Sequence, residues 1–270
     1  MKQIPFSKKI DDAFRERSYI REANLWLAQS PEVHSSFESL YHALREKEGW
    51  IYPDALVEQL PIVAQSDPHY AQWSVRSNSF HRLVQYLAVQ HPGSTILDVG
   101  CGNGWMAGGL AKRGFQVCGI DLNFSELQQA ARTFKELTNA VWLYGNILSD
   151  VVPCGSMDYI VLASSLQYFK DIPRLMQSLF RIIRDTGEIH VIDTPFYSAG
   201  EKGHAVQRSI SYFAKIGYPG FVEYYFHRTY DELRMYSFRV EDHPKRMMNK
   251  IRSIFGQGRS PFPWIVIQKS

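Results

Sequence analysis

Cysteine is scarce in this chain of 270 residues, which contains only Cys101, Cys118 and Cys154. The three are scattered, and none belongs to a CxxC pattern or to a cysteine and histidine spacing typical of metal ligands. The sequence therefore predicts neither a disulfide framework nor a metal site. An odd set of isolated cysteines also fits a reducing compartment.

Excess charge and long apolar runs are lacking as well. The formal net charge of +3 is too small to indicate nucleic-acid binding through bulk electrostatics. No apolar run approaches the length of a membrane span, and the N-terminus becomes charged where a signal peptide needs its apolar region. We therefore expect a soluble, cytoplasmic protein that does not bind membranes, and its bulk charge gives no indication of nucleic-acid binding.

Residues 1–90 have the pattern of an N-terminal helical cap. Apolar residues recur at helical spacing over 32–48 and again over 79–90, with polar residues on the opposite faces. Prolines interrupt the chain between these segments, so we expect short helices joined by turns. The tripeptide His-Pro-Gly at 91–93 ends the cap, and the main domain is predicted to span 91–270.

Residues 91–270 alternate strand-like and helix-like segments. This alternation is typical of a doubly wound α/β fold, in which helices cover both faces of a parallel sheet. Two late apolar segments, 238–241 and 264–268, predict an antiparallel pair at the sheet edge. Insertions are predicted at about 197–228 and 245–262, and the second of them contains a surface helix.

The stretch from Thr95 to Trp105, TILDVGCGNGW, joins an apolar strand to a turn with alternating glycines. Glycine permits positive φ and lets the backbone approach a ligand that any side chain would block. The helix after the turn would direct its N-terminal N–H groups at that ligand. Asp121 follows about twenty residues later, where a carboxylate can accept both hydroxyls of a ribose. The pattern indicates a nucleoside cofactor.

Asp98, just before the glycines, bears on which cofactor binds. A dinucleotide places its pyrophosphate against the helix N-terminus, where a nearby carboxylate would repel it. The acid instead suits a ligand that is cationic at that end, such as the ammonium and sulfonium of S-adenosylmethionine. The rival pattern G-x-G-x-x-A is satisfied by residues 102–107, but its turn starts two residues late relative to the strand.

Four motifs follow one another in the chain: ILDVGCGNG, VCGIDLN, LYGNIL and MDYIVLASSLQYF. Together they resemble the signature of class I S-adenosylmethionine-dependent methyltransferases of the small-molecule type, closely over residues 94–193. The resemblance implies a Rossmann-like sheet of seven strands whose last strand is antiparallel. It also implies that S-adenosylmethionine is the cofactor.

The resemblance further implies a role for each matching residue. Asp98 and the turn of Gly100, Cys101, Gly102 and Gly104 would hold the methionine portion, Asp121 the ribose, Leu122 one adenine face, Asn146 and Ile147 the adenine edge, and Ala163 and Ser164 the sulfonium side. Asn146 often corresponds to an acid in the family, but its amide oxygen can still accept from the adenine amino group. Arg76 resembles an arginine upstream of the first strand in some of these enzymes, and would bind the cofactor carboxylate.

The reaction implied is an in-line displacement that moves a methyl group from sulfur to a nucleophilic O, N or C atom. Alignment of the reacting atoms can lower a barrier by roughly 7–11 kcal/mol, whereas a positioned base contributes about 10²–10⁴-fold in rate. A general base is therefore optional. The candidates near the crevice are Tyr168, His204 and His227.

The acceptor is not identified by the sequence. SSLQYF stands where an NPPY-like motif would indicate amino-methylation of bases or glutamine amides. The segment from residue 245 onward has several cations and no acid, which favours an anionic acceptor or carrier. We expect a small-molecule acceptor. An RNA methyltransferase, an NAD-dependent oxidoreductase and a non-catalytic relative that binds a partner stay open as alternatives.

Overall fold

The computed structural model describes residues 6–31, 35–90, 93–242 and 260–269. The helices are α1 (Phe6–Glu16), α2 (Ser35–Glu48), α3 (Asp54–Val57), α4 (Tyr70–Gln90), α5 (Trp105–Ala111), α6 (Phe124–Thr133), α7 (Ile172–Ile182) and α8 (Ala199–Lys215). The strands are β1 (Ile20–Glu22), β2 (Leu25–Leu27), β3 (Thr95–Val99), β4 (Gln116–Asp121), β5 (Ala140–Tyr144), β6 (Met157–Ala163), β7 (Ile183–Ile192), β8 (Phe196–Tyr197), β9 (Arg228–Thr229), β10 (Ser237–Asp242) and β11 (Trp264–Gln268). Short 3-10 helices cover Ile147–Ser149, Leu166–Tyr168, Pro219–Tyr224 and Tyr230–Leu233.

Nine of these strands form one sheet in the order β1-β2-β5-β4-β3-β6-β7-β11-β10. Strands β3 to β7 pair in parallel and are largely buried, because helices cover both of their faces. Strand β11 runs antiparallel to both of its neighbours, β7 and β10. The predicted doubly wound α/β class and its antiparallel last strand are confirmed.

The predicted number of seven strands is wrong, because β1 and β2 extend the sheet beyond β5. Strand β2 pairs in parallel with β5, from Leu25 opposite Trp142 to Leu27 opposite Tyr144. The prediction of an N-terminal segment built only of short helices is therefore incomplete, because this segment also contains two strands. Each of these strands has only three residues, which is too short for a periodic pattern to stand out in the sequence.

Two hydrophobic layers hold the helices on the sheet. One joins α4, α5 and α6 to the sheet through side chains such as Leu83, Leu110 and Leu127. The other joins α1 and α7 through side chains such as Phe14 and Leu179. Helices therefore cover both faces of the sheet, with α4, α5 and α6 on one face and α1 and α7 on the other, and the carboxyl edge of the parallel strands is left open to a ligand.

A third, smaller cluster lies apart from these layers. Leu44 of α2 is buried with Phe213 of α8 and Phe221, and partly buried aromatic rings pack around them. It joins α2 to α8 and so brings the N-terminal segment together with the predicted insertion at 197–228. Of the other predicted insertion, at 245–262, residues 245–259 and the predicted surface helix lie outside the described residues. Within the described ranges, no helix is both long and apolar enough to cross a membrane.

Candidate active site

The carboxyl ends of the central strands surround a crevice. The chain runs from β3 through β4 to β5 on one side and from β6 to β7 on the other, so the strand order reverses between β3 and β6. In doubly wound sheets, ligands bind at this reversal. The glycine turn follows β3 and the 163–164 pair ends β6, which brings two of the predicted motifs together.

Three adjacent cavities occupy the crevice. The sheet-edge cavity, of about 470 Å³, is lined by residues from Gly100 to Asn146 at the ends of β3, β4 and β5. The arginine cavity, of about 100 Å³, is lined by the same turn and by Arg76. The aromatic cavity, of about 380 Å³, is lined by α8 together with Tyr168 and other aromatic residues. Ser164 lines all three, so the cavities meet at the end of β6.

The glycine turn keeps this crevice open. Gly100 and Gly102 have φ values of +74° and +52°, and both line the sheet-edge and arginine cavities. A Cβ on Gly100 would lie 2.6 Å from the Cβ of Ser165, closer than atoms of this kind can pack. Gly104 also has positive φ, but its added Cβ would instead meet the ring of Trp142 at 2.5 Å. The absence of side chains at Gly100 and Gly102 therefore keeps the cavities open, whereas the absence of one at Gly104 lets the core pack closely against the turn.

Asp98 lies beneath the turn and is not among the residues that line these cavities. Its side chain is 1% exposed, and the carboxyl accepts a hydrogen bond from the backbone of Ala107. Burial raises its pKa to about 7, and the neighbouring carboxylate of Asp121 adds to the shift. Its Oδ2 has no hydrogen-bond partner among the described residues. Asp98 therefore borders none of these cavities directly, whereas Cys101 of the turn lines the arginine cavity.

Asp121 ends β4 and ties the turn to the strand beside it. One carboxyl oxygen accepts from the backbone N–H of Gly102 at 2.7 Å, and the other from the N–H of Asn123 at 2.8 Å. Burial raises the pKa of Asp121. Glu126, which lines the same cavity, has its pKa raised to about 8 by burial and by the charge of Asp121. Three acidic side chains thus surround the turn, and sequence reasoning missed the role of Glu126.

The far wall of the sheet-edge cavity contains the other predicted adenosine contacts. Leu122, Asn146 and Ile147 all line it. The side chain of Asn146 accepts from the backbone N–H of Leu148 at 3.0 Å, which orients its amide. The backbone N–H of Asn146 donates to the side chain of Gln29, at 3.2 Å, just beyond β2. The additional strands therefore help to hold this wall.

The end of β6 forms the boundary between the cavities. Ala163 lines the arginine cavity, and Ser164 has a positive φ of 53°. The hydroxyl of Ser164 donates to the backbone oxygen of Asp193 at 3.0 Å, across to the end of β7. Such a conformation is uncommon for a residue with a side chain. It ends β6 abruptly at the place where the three cavities meet.

Arg76 projects from α4 to the boundary of the arginine and aromatic cavities. Its guanidinium lies over the rings of Trp50 and Trp73, at 4.5 and 4.9 Å from their centroids. It makes no hydrogen bond or ion pair with any residue in the described ranges. The two indoles therefore hold a cation whose N–H donors are available to a ligand.

A family model described as a methyltransferase domain matches residues 71–247. The chain belongs to this methyltransferase family. The match spans nearly all of α4, strands β3 to β10 and the glycine turn, and it confirms the resemblance to class I S-adenosylmethionine-dependent methyltransferases.

Curated methyltransferases match a shorter stretch. The 2-phytyl-1,4-naphtoquinone methyltransferase of Nostoc sp. is 29% identical over 123 residues, which is 42% of this chain and 54% of that protein. The malonyl-[acyl-carrier protein] O-methyltransferase of Serratia marcescens is also 29% identical over 123 residues, 44% of this chain and 45% of that protein. The chain thus spans about half the length of these curated relatives.

Solved structures share the fold at low identity. A putative sarcosine dimethylglycine methyltransferase from Galdieria sulphuraria superposes with a TM-score of 0.56 at 13% identity, covering 81% of this chain and 82% of that one. A geranyl diphosphate methyltransferase gives a TM-score of 0.52 at 16% identity, covering 76% and 84%. The [4+2]-cyclase SpnF gives 0.54 at 18% identity, covering 79% and 74%. Because one neighbour is a cyclase, the fold alone does not establish the reaction.

Of the three candidate catalytic residues predicted from the sequence, only Tyr168 lies where the cavities meet. It lines both the sheet-edge and the aromatic cavities, and its phenol oxygen accepts from Nη2 of Arg45 at 2.9 Å. His204 is exposed and lines an outer groove further along α8. His227 is buried, shares a hydrogen bond of 2.9 Å with Ser209, and lines none of the cavities described above. The structure therefore does not bring the two histidines to the crevice.

Sequence reasoning missed the contribution of α2 to this site. Phe37 and Tyr41 line the sheet-edge cavity, and Arg45 and Glu48 line the aromatic cavity. Arg45 also forms an ion pair with Glu48, with N and O atoms 2.9 Å apart. The apolar stripe at 32–48 was a usable signal, but its period indicates only that one face is covered. It does not reveal which neighbour covers that face.

Proposed function

We propose that this protein transfers the methyl group of S-adenosylmethionine to an O, N or C atom of a small-molecule acceptor. The observation that carries the proposal is the wall shared by the sheet-edge and aromatic cavities. Ser164 and Tyr168 line both of them. Two ligands, one in each cavity, would therefore approach each other at the end of β6.

The residues around the sheet-edge cavity fit S-adenosylmethionine. A carboxylate has about four acceptor positions, and the backbone N–H groups of Gly102, Leu122 and Asn123 use part of those of Asp121, so the carboxylate can still accept from a ribose hydroxyl. Asp98, Asp121 and Glu126 place three acidic side chains beside the turn, and a cationic group there would favour their ionised forms whereas a pyrophosphate would oppose them. Arg76, held between two indoles, would bind the cofactor carboxylate. Leu122, Asn146 and Ile147 would enclose the adenine.

The bound cofactor would supply a methyl group on a positively charged sulfur, so the main task of the protein is to align the acceptor atom with that methyl group. Tyr168 is suited to orient the acceptor. Its phenol oxygen already accepts from Arg45 at 2.9 Å, so its own hydrogen is free to be donated into the cavity. We propose that this hydroxyl holds the acceptor atom in line for displacement. A separate general base is not required.

The acceptor is proposed to be small and to carry an anionic group. The aromatic cavity, of about 380 Å³, is within the range of small-molecule sites. Both of its acids are engaged within the protein, Glu48 with Arg45 and Tyr212, and Asp193 with Ser79 and Ser260. Arg208 makes no hydrogen bond or ion pair in the part of the chain that the structure describes. It is therefore the proposed contact for the anionic group.

The domain division into 1–90 and 91–270 stays part of the proposal, as does a cytoplasmic location. The N-terminal segment would enclose the acceptor and would also contribute to the cofactor site, since α2 lines both cavities and Arg76 belongs to α4.

Calorimetric titration with S-adenosylmethionine, S-adenosylhomocysteine and NAD tests the cofactor. We expect the first two to bind and NAD not to bind. Tight binding of NAD alone would contradict the proposal and favour the oxidoreductase. Once binding is established, acceptor profiling with isotopically labelled cofactor identifies the methylated compound. If the label is transferred neither to a small molecule nor to RNA, the non-catalytic alternative is favoured.

Arg76→Ala tests the proposed carboxylate contact. We expect S-adenosylhomocysteine to bind at least about tenfold more weakly, because a charge-assisted hydrogen bond contributes about 1.5–3 kcal/mol. Arg76→Lys should restore part of the affinity. Arg132→Ala is the matched control, since this arginine pairs with Asp54 on the exposed surface of α6. Equal affinities for the Arg76→Ala protein and the wild type would remove the assignment.

A further inference from the structure

An outer groove continues the aromatic cavity toward the protein surface. Its volume is about 620 Å³, larger than the cavity of about 380 Å³ that it adjoins. Pro195, Tyr197, Arg208 and Phe262 line both. A ligand in the aromatic cavity can therefore extend into the groove without crossing a wall of the protein.

One side of the outer groove is apolar. Phe196, Tyr230 and the segment 261–263, Pro-Phe-Pro, line it together with Pro195 and Tyr197. Such a surface gains free energy when an apolar ligand removes it from water, at roughly 25 cal/mol for each Å². The groove is thus suited to a hydrocarbon chain.

The opposite side is polar and comes from the first half of α8. Ser198, Glu201, His204 and Arg208 line it, and their spacing of three or four residues places them on one face of that helix. The carboxylate of Glu201 accepts from the backbone and hydroxyl of Ser198, at 3.0 and 2.7 Å. Among the described residues that line this side, the one acid is therefore already engaged in capping the helix, so these residues present no unpaired negative charge.

The apolar wall is held in place by buried contacts. Strands β8 and β9 pair in parallel, with Phe196 opposite Arg228. Arg228 is 3% exposed, and it donates to Glu232 at 3.0 Å and to the backbone oxygen of Phe169. The ring of Phe196 packs on that of Tyr230, with centroids 5.3 Å apart. The groove is consequently part of the fold, and it does not depend on a ligand to form.

From this geometry we infer that the acceptor is an elongated amphiphile. Its nucleophilic head occupies the aromatic cavity, and an apolar chain extends past Tyr197 and Phe262 into the outer groove. A compact acceptor would fill the inner cavity alone and leave the larger apolar surface without a role. This inference rests on the proposed function, since it assumes that the acceptor occupies the aromatic cavity.

A homologous series of 4-alkylphenols tests the inference by direct binding. Phenol, 4-butylphenol and 4-heptylphenol are titrated below their solubility limits, each with and without saturating S-adenosylhomocysteine. We expect affinity to rise about two- to fourfold for each methylene, the upper value corresponding to about 0.8 kcal/mol for full burial of a methylene group. Equal dissociation constants across the series would overturn the inference.

Pro261→Trp adds a variant that blocks the groove. Pro261 is exposed and lines the outer groove but not the aromatic cavity. We expect the dependence on chain length to disappear while phenol binds as it does to the wild type. Gln207→Trp is the matched control, because Gln207 is exposed on α8 and lines neither cavity, and it should keep the full dependence.

The outcomes separate this inference from the proposed function. Failure of S-adenosylhomocysteine to bind would contradict the proposed cofactor, whatever the phenols do. Binding of S-adenosylhomocysteine with no dependence on chain length would contradict only the elongated acceptor. A dependence that persists in Pro261→Trp at the wild-type slope would show that the chain lies elsewhere, and would also overturn the inference. The series in the wild-type protein decides the question even if the variant fails to fold.

Discussion

Replacing Asp98 with asparagine should make the ligand-free protein less sensitive to rising pH. The pKa of this buried carboxyl is raised from 3.8 to about 7. Between these values the native state holds a proton that the unfolded chain has released. The free energy of unfolding therefore falls as the pH rises from about 4, and it levels off above about 7. Asparagine has nearly the same shape and no charge to desolvate.

The magnitude follows from the size of the shift. A difference of roughly three pKa units corresponds to about 4 kcal/mol at pH 8, at about 1.36 kcal/mol for each unit. Between pH 5 and pH 8 the stability of the wild type should fall by about 2–3 kcal/mol more than that of the Asp98→Asn protein. Because Asp121 and Glu126 are present in both proteins, most of their own titration cancels in the comparison.

Urea denaturation of both proteins at pH 5, 6, 7 and 8, without cofactor, measures this difference. Asp185→Asn is the matched control, since Asp185 is exposed and its pKa is lowered through a hydrogen bond from Lys269. A lowered pKa gives a stability contribution that is constant above the unfolded pKa of about 4 and is lost only below it, so the Asp185→Asn protein should run parallel to the wild type from pH 5 to pH 8. If the stability curves of the wild type and the Asp98→Asn protein run parallel from pH 5 to pH 8, Asp98 titrates normally and the argument from its burial fails.

Three further substitutions test other parts of the site. Gly100→Ala should destabilise the protein by about 2–4 kcal/mol, because it adds strain at positive φ and a contact with Ser165, as urea denaturation would show. Gly155 also has positive φ but open space around it, so Gly155→Ala should reduce the stability only through backbone strain. Equal losses of stability at the two sites would refute the steric part of the argument. Tyr168→Phe should lower kcat with the profiled acceptor by about 10–100-fold and leave the affinity for S-adenosylhomocysteine unaltered; a smaller effect than that of His204→Asn would exclude its proposed role. Arg208→Ala should weaken binding of 4-hydroxybenzoate by about fivefold relative to phenol, a modest effect because the arginine is partly solvated, and calorimetric titration showing equal losses for both compounds would refute an anion contact.

Short sequence patterns were sufficient to predict which residues line the cofactor side of the crevice. Gly100 and Gly102 have the positive φ that their pattern predicts, and Asp121, Leu122, Asn146 and Ile147 line one cavity although they come from different strand ends. This works because parallel strands direct their carboxyl ends to the same edge. Their contacts with the cofactor stay predictions. Asp98 shows the limit of such signals, since burial beneath the turn cannot be inferred from its position before the glycines.

The acceptor side could not be predicted in the same way. Arg45 and Tyr168 are 123 residues apart in the chain, yet they share a hydrogen bond. Residue type alone makes His204 and His227 candidates, but the packing of α8 directs one to an outer groove and buries the other. Neither composition nor periodicity specifies which surfaces of α2 and α8 meet.

The sequence by itself therefore determined the fold class, the methyltransferase family and the location of the cofactor motifs. These properties depend on strand periodicity and on glycine and acid at fixed local spacings, which a short stretch of chain contains in full. Only the tertiary structure decided that two additional strands extend the sheet, that α2 completes the crevice and that an outer groove continues it. Those features arise from contacts between distant segments, where side-chain shape and burial select the partner.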